Sequence, residues 1–276
     1  MEIDVFHIGP QKSATTWVYK CLKSHPRVGC ASEDSTHYFD MRYSEGIEWY
    51  ARFFQHTEDG QTLIDMTPSY IRSPWVPRRI AAHNPDAKII CCLRNPIDRA
   101  FSHYWHEKKK GKIAFDFEEV LENYDLFSSW IEPGFYAEHL ERYLECFPQA
   151  QMLFLRFEQL KDDDEAFIRR ILEFIGVEES FSPTWLGRKA NEAGGRRTFA
   201  NAVWRRVRRR LEWVGQGKLV ESIESAPMVG RWVRDRDEYE EGMEAAVRRE
   251  LLEICEPEIQ RTEDLLDLDL SHWRAT

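Results

Sequence analysis

Residues 5–17 read Val5-Phe6-His7-Ile8-Gly9-Pro10-Gln11-Lys12-Ser13-Ala14-Thr15-Thr16-Trp17. The first four residues favour a β-strand, the Gly-Pro pair interrupts it, and the hydroxyl-rich residues after Lys12 favour the start of a helix. The first backbone N–H groups of a helix have no partner within it, and the helix dipole adds partial positive charge there. A strand, a loop and a helix N-terminus in this order predict a phosphate-binding site.

The side chains of this loop add to the prediction. Lys12 contributes a full positive charge, and Ser13, Thr15 and Thr16 contribute hydroxyl donors. The loop is not a Walker A motif, because the Gly-Lys-Ser/Thr ending of G-x-x-x-x-G-K-[ST] is absent. The stretch therefore predicts an anion site that is built differently from the common loop of nucleoside triphosphatases.

The composition limits the classes of function to consider. With 276 residues, of which 42% are hydrophobic, the chain is long enough for one large α/β domain with its own core. The net charge of −10 argues against a general nucleic-acid-binding protein. The six cysteines are scattered, without a C-x-x-C pair or His/Cys ligand spacing, so the sequence predicts neither a metal centre nor a disulfide framework.

The sequence also bears on membrane insertion. The N-terminus leads directly into the first predicted strand, without the cationic and apolar regions of a signal peptide. No apolar run approaches the ~20 residues that a transmembrane helix needs. We therefore expect a cytoplasmic protein without a transmembrane segment.

A second charged motif follows another predicted strand. Residues 88–93 form a largely apolar run, typical of a central parallel strand that is covered on both faces. Arg94 follows directly, Pro96 favours the start of a helix, and Ser102 comes two helical turns further on. Arg94 at the end of such a strand can act as a bidentate clamp for a phosphate, and Ser102 can face the same anion.

Strands and helices alternate along the chain. Further strands are predicted at 63–65 and 152–156, with helical segments between them. This alternation is typical of the α/β class, with a central parallel β-sheet flanked by helices, and we expect a single domain over residues 1–276. In such a sheet both charged motifs lie at the carboxyl ends of strands, where ligands bind near the topological switch point.

Residues 9–16 and 94–102 together resemble two motifs of the sulfotransferases that use 3′-phosphoadenosine 5′-phosphosulfate (PAPS). The family patterns read roughly G-x-x-K-[ST]-[GA]-[TS]-[TS] and R-[DN]-P-x-x-R-x-x-S. The resemblance implies the P-loop-like sulfotransferase fold. It also implies transfer of a sulfuryl group from PAPS to a hydroxyl or amine of a carbohydrate or small molecule, with adenosine 3′,5′-bisphosphate as the other product. No metal is expected, because no carboxylate cluster is placed to hold one.

The resemblance assigns nucleotide-binding residues. Those implied for the 5′-phosphosulfate are Lys12, Ser13, Ala14, Thr15, Thr16 and Trp17. Arg94 and Ser102 are implied for the 3′-phosphate. A Gly-rich basic loop at 187–197 lies where other members close over that phosphate, and it offers Arg188 and Arg196. Lys12 is further expected to stabilise charge that develops on the leaving group.

The sequence departs from the family pattern at two positions on the acceptor side. Heparan-sulfate-type members have a segment similar to residues 33–40, and Ser35 stands where their catalytic Glu is expected. Met66 stands where the Lys of their E-K-[TS]-P-x-Y segment is expected, whereas Thr67, Pro68 and Tyr70 match. These departures leave the catalytic base open.

Three residues are candidates for that base. If residues 33–37 are extended, Glu33, Ser35 and His37 share one face. His37 is preferred because an ordinary histidine pKa of ~6.5 suits proton abstraction at neutral pH. Glu33 comes next, and Asp65, from the neighbouring strand, is the third candidate.

Other hypotheses remain open from the sequence. Ser35 and Met66 are compatible with a catalytically silent nucleotide-binding protein, and the first loop alone is compatible with a Mg²⁺-dependent P-loop kinase. The basic segment 205–210 is either a solvated helix face or a contact for an anionic acceptor or membrane. For the lysine run at 108–112 a solvated turn is favoured over acceptor binding.

Overall fold

The computed structural model describes residues 1–113, 115–177, 181–187 and 243–275. Within them the chain forms one five-stranded, all-parallel sheet, which confirms the predicted α/β class. The strands are β1 (Val5–Gly9), β2 (Val28–Cys30), β3 (Thr62–Asp65), β4 (Lys88–Leu93) and β5 (Met152–Arg156). Their spatial order is β2-β3-β1-β4-β5.

Helices connect the strands and cover both faces of the sheet. The α-helices in the described residues are α1 (Thr15–Lys23), α2 (Tyr38–Met41), α3 (Ile47–Ala51), α4 (Val76–His83), α5 (Pro96–Lys109), α6 (Tyr124–Trp130), α7 (Tyr136–Leu144), α8 (Phe157–Asp162), α9 (Asp164–Ile175) and α10 (Ala245–Leu266). Short 3-10 helices lie at Tyr43–Glu45, Arg52–Phe54, Tyr70–Arg72, Phe117–Leu121, Glu132–Gly134, Gln149–Gln151 and Ser271–Arg274.

The topology places the two charged motifs side by side. The central strand β1 pairs with β3 through Val5 and Ile64, and with β4 through Phe6 and Ile89. The chain completes the β2–β3 side first and then crosses β1 to start the β4–β5 side. The switch point therefore lies at β1, and the loop after β1 adjoins the chain that leaves β4.

Alternating side chains of the strands build a core on each face of the sheet. Phe6, Ile89 and Cys91 face the side covered mainly by α2, α4, α5, α7 and α10. Val5 and Ile90 face the side covered by α1 and α9. Both faces of the central strands are thus buried, as their apolar sequences predict.

Local sequence explains where the helix after β4 begins. Asn95 is the N-cap of α5, and its side-chain oxygen accepts hydrogen bonds from the backbone N–H groups of Ile97 (2.9 Å) and Asp98 (3.2 Å). Pro96 occupies the first turn, where its missing N–H is harmless. This cap fixes the point at which Arg94 leaves the sheet.

Several sequence expectations concern the molecule as a whole. Cys91 and Cys92 are fully buried, as predicted, and all six cysteines are free. Among the described residues, no helix has both the length and the apolarity to cross a bilayer. The single-domain prediction extends over residues 188–242, which lie outside the described part of the chain, so it stays a prediction.

Candidate functional site

The loop between β1 and α1 has an unusual backbone. Lys12 and Ala14 have φ angles of 71° and 64°, in the left-handed region that disfavours residues with a Cβ. Gly9 has a φ of 106°, and a Cβ built there would lie 2.2 Å from the carbonyl oxygen of Pro68. Glycine is therefore required at this position, because the loop packs directly on the segment that follows β3.

The N-terminus of α1 fits an anion. Its N-cap, Ala14, has no side chain that could accept from the first N–H groups, and the first turn contains no acidic residue. The hydroxyl of Ser13 is completely buried and has no hydrogen-bond partner in the described structure. A buried hydroxyl without a partner is costly, so its position beside uncapped N–H groups supports a ligand that accepts hydrogen bonds there.

The other residues predicted for this end of the nucleotide divide into two groups. Thr15 and Thr16 are half-buried in the first turn of α1. Trp17 is a core residue, because its side chain is 4% exposed and packs edge-on against Phe167. Its backbone N–H already donates to the carbonyl of Ala14 (2.9 Å). Trp17 therefore positions α1, and Thr15 and Thr16 are the better-placed ligands.

Lys12 lies in a positively charged environment. Burial, and then the charge of Lys110, lower its pKa from 10.5 to about 8; Glu107 opposes this shift and Arg94 adds to it. The free protein therefore keeps Lys12 mostly protonated at pH 7, without a carboxylate paired directly to it among the described residues. A bound anion would supply the missing countercharge.

Arg94 lies beside the same loop. Its Nη1 donates a hydrogen bond to the carbonyl oxygen of Lys12 (2.8 Å). The guanidinium carbon lies 4.5 Å from the ring centroid of Phe157, and the Tyr136 hydroxyl donates to the carbonyl oxygen of Arg94 (2.8 Å). Ser102 follows on α5 and is half-buried. The adjacency of the two motifs that the sequence predicts is thus confirmed by a direct bond.

The same helix brings further titratable groups toward Lys12. The charge of Lys12 acts on His103 and His106, and their pKa values, lowered first by burial, are about 3 and about 4. Glu107 binds Lys110 (2.7 Å) and Lys112 (2.9 Å). Burial would raise the pKa of Glu107, but these two hydrogen bonds outweigh it and bring the pKa to about 2.

Sequence reasoning missed this face of α5. Counting from Arg99 in steps of three or four residues along the helix leads to residues 103, 106, 107 and 110, which therefore share one face. This spacing is the signal in the sequence that could have identified the face. The lysine run at 108–112 is only partly a solvated turn, the interpretation that the sequence favours. Lys110 acts on Lys12, whereas Lys108 binds the exposed Asp116 (3.0 Å).

His37 belongs to a small polar cluster on the acceptor side. Its Nδ1 lies 3.4 Å from Asp40 Oδ2 and 3.2 Å from Ser69 Oγ, and Ser69 donates to the same Asp40 oxygen (2.5 Å). Because the Ser69 hydroxyl donates to Asp40, both oxygens near Nδ1 can only accept from it, which assigns the proton of a neutral His37 to Nδ1. The lone pair of a neutral His37 is then on Nε2, which has no hydrogen-bond partner among the described residues.

The pKa values of this cluster reflect an ion pair. The hydrogen bond to Asp40 raises the pKa of His37 above its ordinary value, and burial opposes the shift. Burial would raise the pKa of Asp40, but hydrogen bonds from His37 and Ser69 outweigh it and lower that pKa. A histidine oriented by a carboxylate is the usual arrangement of a general base.

The structure gives Glu33 and Asp65 different positions from those expected. Strand β2 ends at Cys30 and the chain bends at residues 32–34, so the expectation of an extended segment with Glu33, Ser35 and His37 on one face is wrong. Glu33 is exposed, and the Ser35 hydroxyl donates to the carbonyl of Asp34 (2.7 Å).

Asp65 is part of the scaffold. It is completely buried and accepts hydrogen bonds from four hydroxyls, those of Thr36 (2.8 Å), Tyr50 (2.8 Å), Thr67 (2.8 Å) and Tyr70 (2.9 Å). Burial raises its pKa, and these bonds oppose the shift. An enclosed carboxylate of this kind cannot take a proton from an acceptor. Met66 is also buried, in the core beneath α1.

Three sequence predictions concern residues beyond the described ranges. Arg188 and Arg196, together with the basic segment 205–210, lie outside the described residues. Within the described part, no group of His, Cys, Asp and Glu side chains is arranged to hold a metal ion.

Known sulfotransferases are similar to this chain in sequence. The family described as "Sulfotransferase domain" matches residues 2–190. Human heparan sulfate glucosamine 3-O-sulfotransferase 6 is 35% identical over 175 residues, which cover 62% of this chain and 51% of the human protein. Human bifunctional heparan sulfate N-deacetylase/N-sulfotransferase 2 is 32% identical over 189 residues, covering 62% of this chain and 21% of that protein. The chain thus spans about half the length, or less, of these relatives.

A solved structure extends the comparison to the fold. The crystal structure of a sulfotransferase from Alicyclobacillus acidocaldarius aligns over 100% of both chains, with a TM-score of 0.73 and 22% sequence identity. At this identity the likeness concerns the arrangement of strands and helices.

Proposed function

The chain belongs to the sulfotransferase domain family, and from this premise we propose that it transfers a sulfuryl group from PAPS to a hydroxyl or amine of a carbohydrate acceptor. The observation that carries the proposal is the bond between the two anion-binding motifs, Arg94 Nη1 to the Lys12 carbonyl at 2.8 Å. A nucleotide with a phosphosulfate at one end and a phosphate at the other matches two such motifs side by side.

The residues of the loop would hold the phosphosulfate end. The donors that this loop offers are the uncapped N–H groups of α1, the buried Ser13 hydroxyl and the Lys12 ammonium. When bound, PAPS supplies a sulfuryl group whose sulfur bonds to the acceptor oxygen or nitrogen while its bond to the phosphate oxygen breaks. Lys12 and the helix N-terminus stabilise the charge left on that phosphate oxygen. Arg94 and Ser102 would hold the 3′-phosphate.

His37 would take the proton from the acceptor. Its Nδ1 is held by Asp40 and its Nε2 is available. His37 also contacts Ser69, and the neighbouring Pro68 packs on Gly9 of the nucleotide loop. General-base catalysis of this kind contributes roughly 10²–10⁴-fold to a rate. His37 thus compensates for the absence of a Glu at position 35.

We further propose that the acceptor molecule is anionic. Three arginines, Arg142, Arg72 and Arg99, act on His139, whose pKa is lowered to about 4 first by burial and then by their charges. This region adjoins the acceptor side, because the hydroxyl of Tyr143 donates to the carbonyl of Tyr70 (3.0 Å). Carboxylate or sulfate groups of a saccharide would balance these charges.

A direct assay tests the proposal. The protein is incubated with PAPS and with neutral, carboxylated or sulfated glucosamine-containing oligosaccharides, and release of adenosine 3′,5′-bisphosphate is measured. We expect release that depends on the acceptor and is faster with the anionic ones. Arg72→Gln should raise KM for anionic acceptors only, whereas Arg27→Gln, at the amino end of β2, should not.

One alternative rests on a specific observation. Ser35 replaces a catalytic Glu, so a catalytically silent nucleotide-binding protein is the second candidate. Tight binding of PAPS without product release across the whole acceptor panel would favour it over the enzyme.

A further inference from the structure

The loop after β1 needs external support. Lys12 and Ala14 both adopt left-handed backbone conformations, on either side of the buried Ser13. Neither is a glycine, so the loop is held in this shape by its surroundings. The N–H groups and the Lys12 ammonium that would bind the 5′-phosphosulfate are correctly placed only in this shape.

Arg94 provides such support from the neighbouring strand. Its Nη1 donates to the carbonyl oxygen of Lys12, which belongs to the peptide between the left-handed Lys12 and Ser13. The plane of the guanidinium is fixed by Phe157, 4.5 Å away, and the backbone of Arg94 is fixed by the hydroxyl of Tyr136. A rigid planar group on a fixed backbone is well suited to hold another segment in place.

The guanidinium of Arg94 has further N–H donors that a ligand can use. Arginine has five N–H donors, and those of Arg94 other than the one on Lys12 make no hydrogen bond to a described residue. One side chain can therefore hold the Lys12 carbonyl and a phosphate at once.

We propose that Arg94 is a positioning residue for the 5′-phosphosulfate loop, in addition to being a ligand of the 3′-phosphate. This inference rests on the proposed function and extends it. Through Arg94 the two ends of the nucleotide act on one another, because a 3′-phosphate on the guanidinium stabilises the group that orders the loop. Binding at either end therefore favours binding at the other.

AMP distinguishes the two roles, because it has a 5′-phosphate and no 3′-phosphate. If Arg94 were only a 3′-phosphate ligand, Arg94→Gln would weaken binding of adenosine 3′,5′-bisphosphate and leave AMP unaffected. If Arg94 also positions the loop, Arg94→Gln weakens AMP as well. We expect a loss of roughly fivefold or more for AMP, measured by calorimetry, corresponding to about 1 kcal/mol.

Two further variants control the experiment. Arg156→Gln removes a matched bond, from an arginine Nη1 at the end of β5 to the carbonyl oxygen of Asp269 (2.7 Å), and should leave AMP affinity within twofold. Arg94→Lys keeps the charge but not the planar contact with Phe157. It should retain much of the affinity for adenosine 3′,5′-bisphosphate while binding AMP more weakly than the wild type, and it tests the inference if Arg94→Gln does not fold.

The outcomes separate this inference from the proposed function. Unchanged AMP affinity in folded Arg94→Gln or Arg94→Lys overturns the positioning role and leaves the proposed function standing. A wild-type protein that binds neither nucleotide overturns both. An equal loss of AMP affinity in Arg156→Gln would also overturn the positioning role, because the effect would then not belong to the loop.

Discussion

At the scale of single residues, His37 depends on Asp40 for its protonation. The hydrogen bond to Asp40 raises the pKa of His37, and the histidine can accept a proton only when it is neutral. Activity should therefore increase as the pH rises through that pKa. Asp40→Asn removes the charge that raises the pKa, so the rise should move to lower pH, and the plateau should fall because His37 is less well oriented.

The pH dependence of kcat at saturating PAPS checks this prediction. Glu33→Gln is the control, because Glu33 is exposed and takes no part in the hydrogen bonds among His37, Asp40 and Ser69. A profile in Asp40→Asn that matches the wild type, or full activity in His37→Ala, would show that His37 is not the base.

Deprotonation of Lys12 should cause a decrease in activity at alkaline pH, the alkaline limb of the pH profile. Burial and the nearby charges lower its pKa to about 8, so the free enzyme loses this cation above that pH. We expect kcat/KM for PAPS to decrease above about pH 8. Lys12→Arg should abolish that limb, since a guanidinium stays charged. Lys110→Gln should move the limb to higher pH, because it removes a repulsive charge and releases Glu107, but not fully to 10.5, since burial is the largest cause of the shift.

Measurements of kcat/KM between neutral and alkaline pH decide the matter. Lys161→Gln serves as control, because Lys161 lies over Phe157 on α8 and has no part in the shift of Lys12. An alkaline limb that persists unchanged in an active Lys12→Arg enzyme would assign it to another group.

At the scale of elements, the loop after β1 stores strain that its neighbours offset. Each left-handed non-glycine residue costs about 1–2 kcal/mol. The charge-assisted bond from Arg94 contributes about 1.5–3 kcal/mol in the opposite direction. The shape of the site therefore depends on contacts between β1, the segment after β3 and the end of β4, and not on the loop sequence alone.

Gly9 tests this dependence. A Cβ at Gly9 would meet the Pro68 carbonyl at 2.2 Å, so Gly9→Ala must displace either the loop or the segment of Pro68. We expect about 1–3 kcal/mol of destabilisation from the overpacking, beyond the cost of a positive φ, together with weaker nucleotide binding. Urea unfolding and calorimetry measure the two effects.

Gly60→Ala is the matched control. Gly60 has a φ of 85° and no atom within 4 Å of a Cβ built there. Gly60→Ala therefore introduces the cost of a positive φ without a steric clash. Similar stability and nucleotide affinity in the two variants would mean that the contact with Pro68 is unimportant.

At the scale of the whole molecule, the sequence predicts four of the five strands and the two charged motifs because these are local patterns, whereas the short strand β2 is missed. The residues of an apolar run such as Lys88–Leu93, followed by Arg94 and Pro96, indicate by themselves a buried strand that leads to a charged residue and a helix. The loop at Gly9 does the same, and the parallel topology then brings the two together.

The acceptor side could not be predicted in the same way. Asp65 is a candidate base by sequence, but in the structure its carboxylate accepts hydrogen bonds from the hydroxyls of Thr36 and Tyr50, which are distant in sequence. These bonds make it part of the scaffold. The bend after Cys30 likewise decides which residues accompany His37, and Ser69 joins that cluster from the segment after β3. Such contacts depend on tertiary packing, which no local pattern records.

The central claim is that one nucleotide with phosphates at both ends binds across the two motifs. Calorimetric titration of the wild-type protein with adenosine 3′,5′-bisphosphate and with AMP tests it most directly. Charge-assisted contacts to the 3′-phosphate are worth roughly 1.5–3 kcal/mol, so the bisphosphate should bind at least about tenfold more tightly. Equal affinities for the two nucleotides would contradict the account.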